Sequence, residues 1–117
     1  MSDNEDLSPE LLLIRDRFIE SLPEKVAQLK KAKLEWEADD FSLQSHTAIE
    51  TMFHVTHQLT GTAGSVGFTA LSNMARDINH ILRRVQETDQ TKLEEELTDS
   101  LSSDLENLTK AVENCYL

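Results

Sequence analysis

Apolar residues recur along this chain at spacings of three and four and never settle into strict alternation. That pattern belongs to helices with one buried stripe, because successive helical residues turn by about 100°. Leu11, Ile14, Phe18 and Leu22 form the first run, opened by Ser8-Pro9-Glu10. A serine hydroxyl suits a helix cap, and proline at the first helical position gives up only an N–H that would lack a partner anyway. Ser21-Leu22-Pro23-Glu24 then carries the serine-to-glutamate spacing of a capping box. The chain is therefore expected either to kink at Pro23 or to start a second helix there. That segment places Val26, Leu29, Lys33 and Trp36 on one face and ends at Asp39-Asp40.

The next helix is expected from near Ser45 or Thr47 to about Val66, and another from Thr69 to about Glu87. The latter has Leu71, Met74, Ala75, Ile78, Ile81, Leu82 and Val85 on its apolar side, and Arg76, Asp77, Asn79, Arg83 and Arg84 on its polar side. A last helix, from about Thr91, repeats Leu93, Leu97, Leu101, Leu105, Leu108 and Val112. Short links between such segments predict an all-α, up-down four-helix bundle preceded by a short N-terminal helix. Residues 8–117 form that bundle in this reading, and the acidic residues 1–7 a disordered tail.

Composition narrows the picture. A chain of 117 residues suits one domain, and three glycines with two prolines are too few for the turns of an all-β fold. A net charge of −11 argues against binding a nucleic-acid backbone or an anionic membrane, both of which reward positive patches. The one cysteine, Cys115, excludes an intrachain disulfide, fits a reducing compartment, and ends an apolar stripe where a buried structural thiol is expected. The longest apolar run, Leu11 to Ile14, is four residues and too short for a membrane span. No basic leader followed by an apolar core is apparent, so a cytoplasmic location is expected. Glu94-Glu95-Glu96 reads as a solvated helix face.

All three glycines fall within seven residues, in His57-Gln58-Leu59-Thr60-Gly61-Thr62-Ala63-Gly64-Ser65-Val66-Gly67-Phe68. Glycine inside a helix costs roughly 1 kcal/mol relative to alanine, so its presence needs a reason. Helical phase supplies part of one. With His57 as origin, Ala48, Val55, Leu59 and Val66 lie within about 20° of the opposite direction and define the core face. His57 therefore points outward, with Glu50, Phe53, His54, Gly61 and Gly64 on the same side. Gly61 and Gly64 would clear space beside the imidazole, unless another helix of the bundle packs there. Gly67 precedes the next helix and is expected to cap in the left-handed conformation. Phe53 is either a core residue reached by tilt or a docking contact, and docking is the preferred reading.

These residues resemble the signature of histidine phosphotransfer (HPt) domains: histidine, any residue, leucine, lysine, glycine, then small residues and a further glycine. Phe18-Ile19-Glu20-Ser21-Leu22-Pro23 is similar to the family's first core helix. Leu71-Ser72-Asn73-Met74-Ala75-Arg76-Asp77-Ile78 is similar to its helix after the site. The likeness runs from about Leu11 to Leu108. It implies a phosphorelay carrier with His57 as phosphoacceptor, exposed in mid-helix, and Phe53, His54, Thr60, Gly61 and Gly64 as the phosphoryl surroundings and docking surface. The implied partners are receiver domains of a hybrid sensor histidine kinase and of a response regulator. The carrier would have no catalytic centre and no cofactor of its own, with magnesium supplied by the receiver. The chemistry is apt, since a neutral imidazole offers a free ring nitrogen near neutral pH. Thr60 departs from the signature, where lysine is usual; a hydroxyl can hydrogen-bond a phosphoryl oxygen but cannot neutralise it.

Two other readings compete. The first is a helical adaptor that docks a kinase or receiver domain without carrying phosphate, for which Thr60 is the main support. The second is a metal site from Glu50, His54 and His57, spaced four and three apart on one helix. No serine-histidine-acid order, P-loop or paired-cysteine motif supports an enzyme.

Overall fold

A computed structural model describes residues 8–117, so the expected tail at residues 1–7 lies outside the described residues. Four helices make up the fold: α1 (Pro9–Ala38), α2 (His46–Ser65), α3 (Thr69–Glu87) and α4 (Glu95–Glu113). Each packs on its neighbours in the chain, and α4 returns to α1 to close the bundle. The up-down architecture is as expected. A separate short N-terminal helix is not: α1 is one helix of 30 residues that passes through Pro23.

Why the proline fails to divide α1 is visible in its flanks. Phe18, Leu22, Val26, Leu29, Ala32 and Trp36 are all buried, and they keep one helical stripe across the proline without a change of phase. Pro23 itself is exposed, where its ring disturbs no core contact. The Ser21 hydroxyl does not cap a new helix; it donates back to the Phe18 carbonyl at 2.6 Å. Packing of the stripe outweighs the hydrogen bond that proline cannot give. At the start of α1 the expected cap is present, with the Leu11 amide donating to Ser8 Oγ at 3.2 Å. Ile14, placed on the apolar stripe by spacing alone, is 45% exposed. The Phe18 and Phe68 rings, 5.7 Å apart, mark the end of α2, and the first turns of α1 run on past it.

Helix α2 begins behind Ser45 and ends in a Schellman turn. The Phe68 amide donates to the Ala63 carbonyl at 2.9 Å, the Gly67 amide donates to the Gly64 carbonyl at 3.4 Å, and Gly67 has φ +95°. That conformation costs residues with a Cβ, so Gly67 is the left-handed cap its position suggested. Helix α3 follows at once, over the expected range. Helix α4 begins four residues later than Thr91. Residues 88–94 instead form a loop, pinned where the Leu43 amide donates to the Thr91 carbonyl at 2.8 Å. Leu93 reaches the core from this loop, which is why it continued the stripe in the sequence. Met52, Leu59, Ile78, Leu82, Leu101, Leu105 and Leu108 fill the centre of the bundle.

Candidate functional site

The outward face of α2 carries the residues that helical phase assembled. Its inner face is tied down first: Ala48, Ile49, Met52, Val55, Leu59 and Ala63 are buried. Thr56 is buried as well, and its hydroxyl is held by the carbonyls of Met52 (2.9 Å) and Phe53 (3.0 Å). Asn79 of α3 donates from Nδ2 to the Phe53 carbonyl and to Thr56 Oγ1, both at 3.1 Å. Ser72 of α3 donates to the Thr60 carbonyl at 2.6 Å. Three hydrogen bonds from two α3 side chains thus lock α3 along one flank of α2. Two of the acceptors are backbone carbonyls, so the α2 surface between them is held rigidly.

His57 lies on that surface, exposed. Its ring makes no hydrogen bond with the described residues and stacks on Phe53 with centroids 6.1 Å apart and planes 13° apart. Phe53 is half-buried and packs on the core, so it serves both expected roles in part: it anchors inward and supports the imidazole outward. An added Cβ at Gly61 would meet nothing within 4 Å. Among the described residues, therefore, nothing fills the space over Gly61, one helical turn from His57. At Gly64 an added Cβ would lie 3.1 Å from Ser72 Oγ. Close approach of α3 accounts for that glycine, although its outer side is exposed.

Thr60 and His54 are both engaged within the bundle. The Thr60 hydroxyl donates to the Thr56 carbonyl at 2.8 Å, which spends its one proton on backbone. The Gln58 side-chain amide donates to His54 Nε2 at 3.2 Å, and Gln58 Oε1 accepts from Lys25 of α1, also at 3.2 Å. Among the described residues, no three histidine, cysteine, aspartate or glutamate side chains gather to hold a metal ion. Glu50, His54 and His57 therefore share a face without forming a chelate. The Lys25–Gln58 pair has no signature in the sequence, because it depends on how α1 packs against α2.

An exposed imidazole in mid-helix, without a hydrogen-bond partner among the described residues, backed by an aromatic ring and bordered by a bare glycine, leaves a nucleophilic ring nitrogen open to an incoming molecule. The family model of the Hpt domain matches residues 13–114. The chain belongs to the Hpt domain family, whose members are phosphotransfer carriers that interact with receiver domains in phosphorelays. Comparison with curated proteins gives no match, and comparison with solved structures gives none either. Among the described residues, no helix is long and apolar enough to cross a membrane.

Proposed function

We propose that this chain carries a phosphoryl group on His57 between two receiver domains, one in a hybrid sensor histidine kinase and one in a response regulator of the cytoplasm. The observation that carries this reading is the exposed His57 ring with no hydrogen-bond partner, stacked on Phe53 beside the open surface of Gly61. A ring nitrogen attacks the phosphorus of the donor's aspartyl phosphate. The acyl phosphate O–P bond breaks, the N–P bond forms, and the aspartate leaves as carboxylate while the ring's other nitrogen gives up its proton to solvent. The reverse sequence, on the second receiver, unloads the group. In-line transfer of this kind needs positioning and charge neutralisation more than covalent assistance. The receiver's magnesium ion supplies the neutralisation, so the carrier needs only a fixed nucleophile in an open setting. Phe53, His54, Thr60, Gly61 and Gly64 form the surface against which the receiver's active-site loops close.

Incubation with a phosphorylated receiver tests the assignment. The chain should gain an acid-labile, base-stable phosphoryl group, and His57→Gln should abolish it while leaving the thermal unfolding midpoint almost unchanged. Label that persists in that variant, or moves to His54, would sink the proposal. The engaged Thr60 hydroxyl favours the adaptor reading to this extent: it offers the phosphoryl group nothing. An adaptor would bind the receiver and remain unlabelled.

A further inference from the structure

Transfer to His57 would bring a doubly charged group onto a molecule whose net charge is −11, at a motif position where threonine replaces lysine. The cation that α1 brings against α2, Lys25, donates to Gln58. The other flank, α3, offers a different one. Ser72 contacts the Thr60 carbonyl and Asn79 the Phe53 carbonyl, so these helices run antiparallel in a defined register. Midway between Phe53 and Thr60 lie Thr56 and His57; midway between Ser72 and Asn79 lie Ala75 and Arg76. One member of each pair is buried, Thr56 and Ala75, and the other is exposed, His57 and Arg76. Arg76 therefore stands level with His57, on the outward edge of the same seam. Ser72, Arg76 and Asn79 fall within about 60° of one another around α3, which confirms the shared strip. Arg76 enters no ion pair with the described residues, so its charge is uncommitted. Packed helices lie about 8–10 Å apart, a gap that an arginine side chain largely spans.

We propose that Arg76 takes the part of the missing lysine: its guanidinium binds the phosphoryl oxygens on His57. This rests on the carrier reading of His57. Arginine suits the task, since its planar fork can donate two hydrogen bonds to one phosphoryl group and stays charged at any working pH. Drawing electron density from those oxygens opposes expulsion of the imidazole, because loose phosphoryl transfer is driven from them. Arg76 thus prolongs the life of the phosphohistidine and favours the dianionic form of its phosphoryl group.

The probe is phosphoramidate, a small donor whose P–N bond breaks with loss of ammonia as the phosphoryl group joins the ring. The intact chain, Arg76→Gln and Arg84→Gln are loaded alike, and loss of label from His57 is followed by phosphorus NMR over a range of pH. Arg84 is exposed and lies off the α2–α3 seam, so it controls for a change in net charge alone. Arg76→Gln should shorten the lifetime roughly two- to fivefold, the factor that one exposed charge-assisted contact supplies. It should also raise the pH at which the phosphoryl signal titrates, whereas Arg84→Gln should do neither. Thr60→Lys placed in the Arg76→Gln background should restore the lifetime. If lifetime and titration are unchanged in Arg76→Gln, or change equally in Arg84→Gln, the role of Arg76 is refuted while the carrier reading stands. Failure of the unaltered chain to take label at His57 refutes the carrier reading itself.

Discussion

At Gly61 an added methyl group would touch no other side chain, so stability gives no reason for glycine there. Gly61→Ala should raise the unfolding free energy by about 0.5–1 kcal/mol, the usual helical advantage of alanine. Gly64→Ala should gain less, because its methyl group would press on Ser72 Oγ, which the Thr60 carbonyl holds in place. Urea unfolding of both variants checks the order, and an equal or larger gain at Gly64 would contradict it. Function should move the other way. Gly61→Leu should keep its helix content yet slow transfer from a phosphorylated receiver, and an unchanged rate would remove Gly61 from the docking surface. Cys115 tests burial at the same scale. Burial pushes its thiol above the ordinary range, with Arg15 partly opposing, and its Sγ donates to the Ala111 carbonyl at 3.4 Å. A raised thiol pKa leaves less thiolate at a given pH, so alkylation at pH 8 should be slower than in urea-unfolded chain. Equal rates would mean that the thiol is free.

Among the elements, α1 shows most clearly what periodicity can and cannot convey. The unbroken stripe from Phe18 to Trp36 was present in the sequence, but proline and a capping-box pattern argued locally for a break. Tertiary burial decided between them. The cost of Pro23 remains, since it leaves the Ile19 carbonyl without its helical donor. Pro23→Ala should therefore stabilise the protein by about 1 kcal/mol or more, the helical gain exceeding the about 0.4–1 kcal/mol lost by loosening the unfolded chain. Lower stability on urea unfolding would mean that the proline's restriction of the unfolded chain outweighs its cost within α1. The α2–α3 junction was more legible, because glycine at φ +95° has a local signature that no distant contact overrides. The late start of α4 was not, since Leu93 is drawn inward by a loop pinned from across the bundle end. His57 could be oriented from phase within one helix. Arg76 could not be associated with it, because that needs the register between two helices, which only their polar contacts fix.

Taken as a whole, the molecule is a rod of 48 × 21 × 20 Å carrying twice as many acidic as basic residues, 22 against 11. Two electrostatic effects then oppose each other. Ion pairs such as Lys30–Glu113 and Lys110–Glu106 favour the folded state, but their lysines are more than half exposed, and such pairs contribute about 0–1 kcal/mol each. Repulsion among the excess carboxylates disfavours the compact state and acts across the whole molecule. Salt distinguishes them by range. The Debye length falls from about 30 Å at 0.01 M to about 8 Å at 0.15 M, from more than the bundle's width to well below it. Contact pairs at 3.4–3.5 Å lose little over that interval, whereas repulsion across the bundle is largely removed. The thermal midpoint should therefore rise as sodium chloride increases from 0.01 to 0.15 M, with most of the rise in that range. A falling midpoint would show that the ion pairs outweigh the repulsion. The same screening bears on loading His57: if net charge governed the phosphohistidine, its lifetime would lengthen with salt in Arg76→Gln and Arg84→Gln alike. If the local guanidinium governs it as a contact pair, the lifetime of the intact chain should change little over that interval and stay above that of Arg76→Gln throughout.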